Sequence, residues 1–136
     1  MDVVALIDTV IAREGGFTHH PADRGGPTRW GITQAVARAN GYAGEMKALP
    51  RTFAHALYRR LYWDQPGYGF VADASPAIAA ELFDTAVNMG SSTATGFLQR
   101  ALNALNRNQQ DYPDLKVDRA VGARTLAALR MFRALR

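Results

Sequence analysis

The chain has 136 residues, 48% of them hydrophobic and 21% charged, and carries 16 Lys and Arg against 12 Asp and Glu for a net charge of +4. That balance argues against disorder and suffices for one domain with an apolar core. The lack of cysteine excludes a disulfide scaffold, a thiol nucleophile and a cysteine zinc site. The positive charge suits a polyanionic partner, but the arginines are scattered and read first as solvated surface.

Val3, Leu6, Ile7, Val10 and Ile11 recur at helical spacing and predict a first helix over residues 3–13, with Asp2 as its N-cap. Gly15 and Gly16 stop it and leave Glu14 at or just before its end. Residues 17–31 hold too much Gly, Pro and polar side chain for a helix, so a loop with at most a minimal β-hairpin is expected there. Thr33 is placed to cap a short helix through Asn40. Phe53, Leu57, Leu61 and nearby tyrosines give a helix over residues 52–62 an apolar, aromatic face, and residues 66–69 break the pattern. Ser75-Pro76, an N-cap followed by a proline at the first helical position, opens a helix to about Met89. Gly90 ends it, Ser91 or Ser92 starts the next to about Leu105, residues 106–116 form a polar connection, and a last helix begins near Ala123. The expectation is a mainly α chain of five or six helices in a single domain, with no internal repeat and no linker. The N-terminus lacks the positive start and long apolar run of a signal peptide, and no run of about 18 apolar residues could span a membrane. A target outside the cytoplasm would then be reached through a holin, a dedicated secretion route or lysis.

The stretch from Glu14 to Thr33 carries most of the chemistry. Hydrolysis of a glycosidic bond at neutral pH needs a proton donor at the leaving oxygen and a second group that stabilises or attacks the oxocarbenium-like centre. Glu14 closes an apolar helix, a setting in which partial burial would favour the protonated acid. Asp23 lies in a polar loop with Arg24, Thr28 and Arg29, a setting that favours the carboxylate. Gly25 and Gly26 let the loop fold back and a sugar approach the backbone. Thr28 or Thr33 could hold a water on the far face of the sugar. On spacing alone, Glu14 reads equally well as a solvated helix-end residue and Asp23 as a loop cap. Asp84 and Asn88, four apart on one helix face, are candidates to line a cleft or to form a buried hydrogen-bonded pair. Among the aromatics, Trp30 is the candidate sugar platform, with core packing as its alternative. His19 and His20 with Asp23 match no established metal spacing, and no metal or cofactor is expected.

These motifs resemble a known family. Glu14-Gly15-Gly16-Phe17 followed by Pro21-Ala22-Asp23-Arg24-Gly25-Gly26-Pro27-Thr28-Arg29-Trp30-Gly31-Ile32-Thr33 is similar to the N-terminal motif of the glycoside hydrolase family 108 muramidases, which include phage-type endolysins and secretion activator proteins. The segment 82–90 resembles the second motif of that family, and 98–103 with 117–126 its peptidoglycan-binding-like C-terminal region. The resemblance implies a lysozyme-like helical fold with a catalytic part over residues 1–90 and a binding-like part over 91–136 packed on it. It implies cleavage of the β-1,4 bond between N-acetylmuramic acid and N-acetylglucosamine, with Glu14 as catalytic acid. A more distant parallel with the glutamate, aspartate and threonine triad of phage lysozymes places Asp23 and Thr28 in supporting roles. Trp30, Thr33, Asp84 and Asn88 are then the expected substrate-binding residues. Bacterial peptidoglycan is the implied partner, with a monomer acting on the wall, no nucleic acid and no stable membrane insertion. A lytic transglycosylase and a non-catalytic peptidoglycan-binding relative are the alternatives. The chain departs from the family at Asp118-Arg119-Ala120, where the repeat reads Asp-Gly, so it lacks the glycine that a tight turn would use.

Overall fold

The computed structural model describes residues 1–19 and 26–136; Asp23 and His20 therefore lie outside the described residues. The chain forms two compact units, Asp2–Arg59 and Arg60–Arg136.

The first unit opens with α1 (Val3–Glu14), capped by Asp2, whose carboxylate accepts from the Ala5 N–H at 3.1 Å. Ile7, Val10 and Ile11 bury one stripe of it, and Gly15 at φ 40° ends it. Three two-residue strands follow: β1 (Phe17–Thr18), β2 (Thr28–Arg29) and β3 (Ile32–Thr33), an antiparallel meander in the order β1-β2-β3. The small sheet thus has one strand more than a hairpin, because Trp30 (φ 57°) and Gly31 (φ 78°) both take left-handed backbone and fold the chain back at once. Thr33 caps α2 (Gln34–Ala39) by accepting from the Val36 N–H at 3.2 Å, as its position predicts. A short 3-10 turn at Met46–Ala48 leads into α3 (Arg51–Arg59). Helices α1 and α3 pack together, and Asp8 on α1 accepts from Arg51 on α3 at 2.7 Å. Ile32, Ala37, Met46, Leu49, Ala54, Leu57 and Tyr58 complete this core.

The second unit begins with a π-helical turn at Arg60–Asp64, so the helix expected over 52–62 changes its hydrogen-bonding pattern near its end. Next comes α4 (Tyr68–Ala74), which the sequence reading takes as a break. Gly67 at φ 79° turns the chain into it, and Tyr68 and Val71 bury its inner face. One buried pair in seven residues gives too short a pattern to stand out against Pro66, Gly67 and Gly69. Helix α5 (Pro76–Met89) starts at the Ser75 cap, whose hydroxyl accepts from the Ile78 N–H at 3.3 Å, and α6 (Ser91–Ala104) follows directly after Gly90. A 3-10 turn at Arg107–Gln109 and α7 (Ala123–Leu135) complete the unit. Its core includes Trp63, Tyr68, Val71, Leu82, Phe83, Leu102, Tyr112 and Leu129. Trp63 meets Phe83 edge to face at 6.2 Å, within the favoured range for aromatic pairs. No helix among the described residues is long and apolar enough to cross a membrane.

Candidate active site

Glu14 is the last residue of α1, and its side chain is 36% exposed. Its position is set by the turn between β2 and β3. The Trp30 N–H donates to the Gly15 carbonyl at 3.0 Å, which ties that turn to the end of α1. The Tyr58 hydroxyl donates to the Trp30 carbonyl at 2.7 Å from α3. Gly31 then lies against both partners: a β-carbon there would come 2.8 Å from the Glu14 Cβ and 3.1 Å from its Cγ, and would collide with the Tyr58 hydroxyl. Glycine is required at this point twice over, by its positive φ and by the close approach of the Glu14 stem. The carboxylate end stays accessible, with Arg13 Nε 3.7 Å from Glu14 Oε1.

The register of the sheet sorts its side chains into two rows. Thr18 pairs with Thr28, and Thr28 with Thr33, so three threonines share one face. The other face carries Phe17, Arg29 and Ile32, of which Ile32 is buried. Thr28 and Thr33 are half-buried and Thr18 is exposed, so the threonine row is the more open one. Thr33 spends its oxygen on the cap of α2, which leaves its hydroxyl proton to donate.

Trp30 has structural duties that the sequence does not display. Its indole N–H donates to the Leu49 carbonyl at 2.9 Å, and the Arg29 guanidinium lies 4.5 Å from its ring centre. One face of the ring is therefore occupied by a cation, and the residue is half-buried. The Arg29 Nε itself is buried without a hydrogen-bond partner among the described residues.

Asp84 and Asn88 belong to α5 in the other unit. They do not form a buried pair: Asn88 is exposed and its amide donates to the Asp84 backbone carbonyl at 3.2 Å. Among the described residues no group of three or more His, Asp or Glu side chains could hold a metal ion.

Two residues of this arrangement escaped the sequence reading. Tyr58 looked like one more aromatic on an apolar helix face, whereas its hydroxyl fastens the turn beside Glu14. Gly31 was visible only as part of a motif; the sole sequence signal for its role is its place directly after Trp30 in a loop already rich in glycine.

Residues 7–90 match the sequence model of the glycosyl hydrolase 108 family, more than half of the chain. No curated protein matches the chain. Among solved structures it is similar to Brucella abortus SagA, with 29% identity, a TM-score of 0.73, and coverage of 94% of this chain and 68% of that one. The fold is mainly α and lysozyme-like, as the motifs implied.

Proposed function

The chain belongs to the glycosyl hydrolase 108 family, and from that premise we propose that this glycoside hydrolase is a peptidoglycan muramidase with Glu14 as its general acid. The observation that carries the proposal is the seating of Glu14: a carboxyl at a helix end, its stem held against Gly31 by the Tyr58–Trp30 bond, its oxygens open to a ligand. A proton donor must be held at a fixed point beside the leaving oxygen, and a rigid stem with an accessible head meets that need.

In the proposed reaction Glu14 gives its proton to the glycosidic oxygen between N-acetylmuramic acid and N-acetylglucosamine. The C–O bond breaks as positive charge grows on the muramyl ring. Asp23, as carboxylate, stabilises that charge or takes the proton from a water that adds to the ring. Thr28 helps to hold this water, an assignment supported by its place in the open threonine row with Thr18 and Thr33. Thr33, Trp30, Asp84 and Asn88 are proposed to contact the glycan. The part over residues 91–136 is proposed to hold the wall polymer, with the wall as the place of action.

Glu14→Gln tests the acid directly. Release of reducing sugar from purified peptidoglycan should fall at least 100-fold, in the range that a lost general acid costs, with circular dichroism unchanged. Native-rate release by that variant would reject the assignment. Mass analysis of the products gives the second arm. Reducing-end N-acetylmuramic acid is expected, whereas anhydro-sugar ends would make the protein a lytic transglycosylase.

A further inference from the structure

The first unit holds a cavity of about 420 Å³ lined by Phe17, Gln34, Arg38, Gly44, Glu45 and Lys47, among others. The glycan contacts proposed above use none of these residues. The cavity lies close to the acid along the chain, because Phe17 follows Glu14 by three residues, which span at most about 11 Å. Its volume is within the usual range for small-ligand sites.

One wall is the irregular loop over residues 41–45, and it is fastened at several points. The Arg38 guanidinium of α2 donates to the Tyr42 carbonyl at 2.9 Å and to the Gly44 carbonyl at 2.8 Å. The Tyr42 hydroxyl donates to the Glu45 carbonyl at 2.6 Å, and its ring lies 5.6 Å from that of Phe53 on α3. At Gly44 an added β-carbon would come 2.8 Å from the Tyr42 hydroxyl oxygen, so the missing side chain lets the loop close over the ring. The backbone is thus fixed while the side chains it presents are idle. Lys47 is exposed, with its ammonium 5.3 Å from the Phe17 ring centre. Among the described residues no hydrogen bond or ion pair engages the Lys47 ammonium, the Glu45 carboxylate or the Gln34 side-chain amide. A fixed backbone that holds unspent polar groups around a cavity is preorganised for a ligand, and packing alone does not require it.

The charges of the lining select the ligand. Two cations, Arg38 and Lys47, stand against one carboxylate, Glu45, and no carboxylate among the described residues pairs with either cation. A neutral sugar would leave all three charges unanswered, and a simple anion would leave Glu45 facing like charge. A ligand with several carboxylates and one ammonium answers them all. The short peptide carried on the lactyl group of the muramyl ring has that composition, with free carboxylates along it and a free ammonium on its diamino acid. It also starts on the ring whose bond Glu14 is proposed to break, so a site one short strand away from the acid can meet it. We propose that this cavity is a subsite for the stem peptide of the wall, with Lys47 and Arg38 on its carboxylates and Glu45 on its ammonium, which makes the protein prefer peptide-bearing strands to bare glycan. The identity of the peptide rests on the muramidase reading; the fixed loop and its idle charges do not.

The test is a titration of the intact chain, followed by amide NMR, with the tripeptide N-acetyl-L-alanyl-γ-D-glutamyl-meso-diaminopimelate. This probe contains no sugar, so binding is read without turnover. Saturating shifts are expected at residues 17, 34, 38 and 43–47, and not with the same peptide amidated at its carboxylates. Lys47→Gln replaces an exposed side chain and should weaken binding about tenfold, the scale of one charge-assisted hydrogen bond. Glu45→Gln should weaken the tripeptide more than the dipeptide N-acetyl-L-alanyl-γ-D-glutamate, which lacks the ammonium. In turnover, Lys47→Gln should lose more kcat/KM on peptide-bearing wall than on glycan strands stripped of peptide. Absence of shifts in these segments, equal binding of the amidated peptide, undiminished binding by Lys47→Gln, or an equal loss on both forms of the wall would overturn the proposal. If purified wall is not cleaved while the cavity binds the tripeptide, the muramidase reading fails and the peptide site stands. Cleavage without tripeptide binding would reject the cavity alone.

Discussion

At Gly31 a single hydrogen atom in place of a side chain decides where Glu14 can sit. Gly31→Ala puts a methyl group between the Glu14 stem and the Tyr58 hydroxyl at a backbone angle that alanine resists. It should cost about 1–3 kcal/mol of stability and, through displacement of the acid, reduce turnover on peptidoglycan on the order of 100-fold. A thermal melt and a reducing-sugar assay would check the two parts, and an alanine variant as active as the native chain would contradict the positioning role. Tyr58→Phe keeps the ring and removes one donor, leaving the Trp30 carbonyl without its partner from α3. A loss of about 1 kcal/mol in urea unfolding is expected, with a fall in kcat larger than any change in KM. A pure change in stability, with kcat untouched, would reduce Tyr58 to a packing residue.

Among the elements, α6 shows how one buried polar side chain can organise a loop that has no regular structure. Gln99 is 1% exposed, and besides its bonds to Asp118, Arg119 and Ala120 its amide lies 3.2 Å from the Thr125 hydroxyl on α7. Gln99→Leu conserves volume approximately but strips those partners at once. The expected loss is about 3 kcal/mol, since each buried polar group left unpaired costs on the order of 1–3 kcal/mol and the turn must also hold a strained arginine, Arg119 at φ 64°. Denaturant midpoints for this variant and for Gln99→Leu combined with Arg119→Gly would separate the terms. If strain matters, the glycine should restore part of the loss. Elements were legible in the sequence wherever a cap or a stop coincided with a long apolar stripe, as at Asp2 and Gly15 around α1 or Ser75 before α5. They were not legible where the signal is short. Helix α4 hides behind three glycine and proline residues, and the third strand consists of two residues set by the turn before it.

For the whole molecule the acid side of the stability profile follows from two carboxyls. The Gln99 amide, together with the Ala120 N–H, holds Asp118 below the ordinary aspartate range. The Arg107 guanidinium, through its hydrogen bonds and charge, does the same for Asp111. The unfolded chain takes up protons on these groups at a higher pH than the folded chain does. Their contribution is therefore present in full well above pH 4 and is lost as the pH falls below about 4 through the folded values. Melting temperatures measured from pH 6 to pH 2.5 should drop on that limb, and Gln99→Leu should flatten it. An unchanged slope in that variant would mean that Asp118 contributes nothing. The net charge of +4 favours approach to an acidic polymer, and binding to purified walls should weaken with salt.

The order of residues alone determined the helical class, the end of α1 at a glycine pair and the family motif around Glu14, because periodicity, caps and stops are local properties of the chain. Only the tertiary structure decided that Gly31 carries the Glu14 stem, that Tyr58 on a separate helix fastens the turn, and that Trp30 gives its indole N–H to Leu49. It alone decided that Arg119 keeps the turn its side chain would resist, by way of a glutamine 20 residues earlier in the chain. Each of these is a contact between residues far apart in sequence. No local preference encodes such a contact; it exists once the packed core has brought the partners to hydrogen-bonding distance.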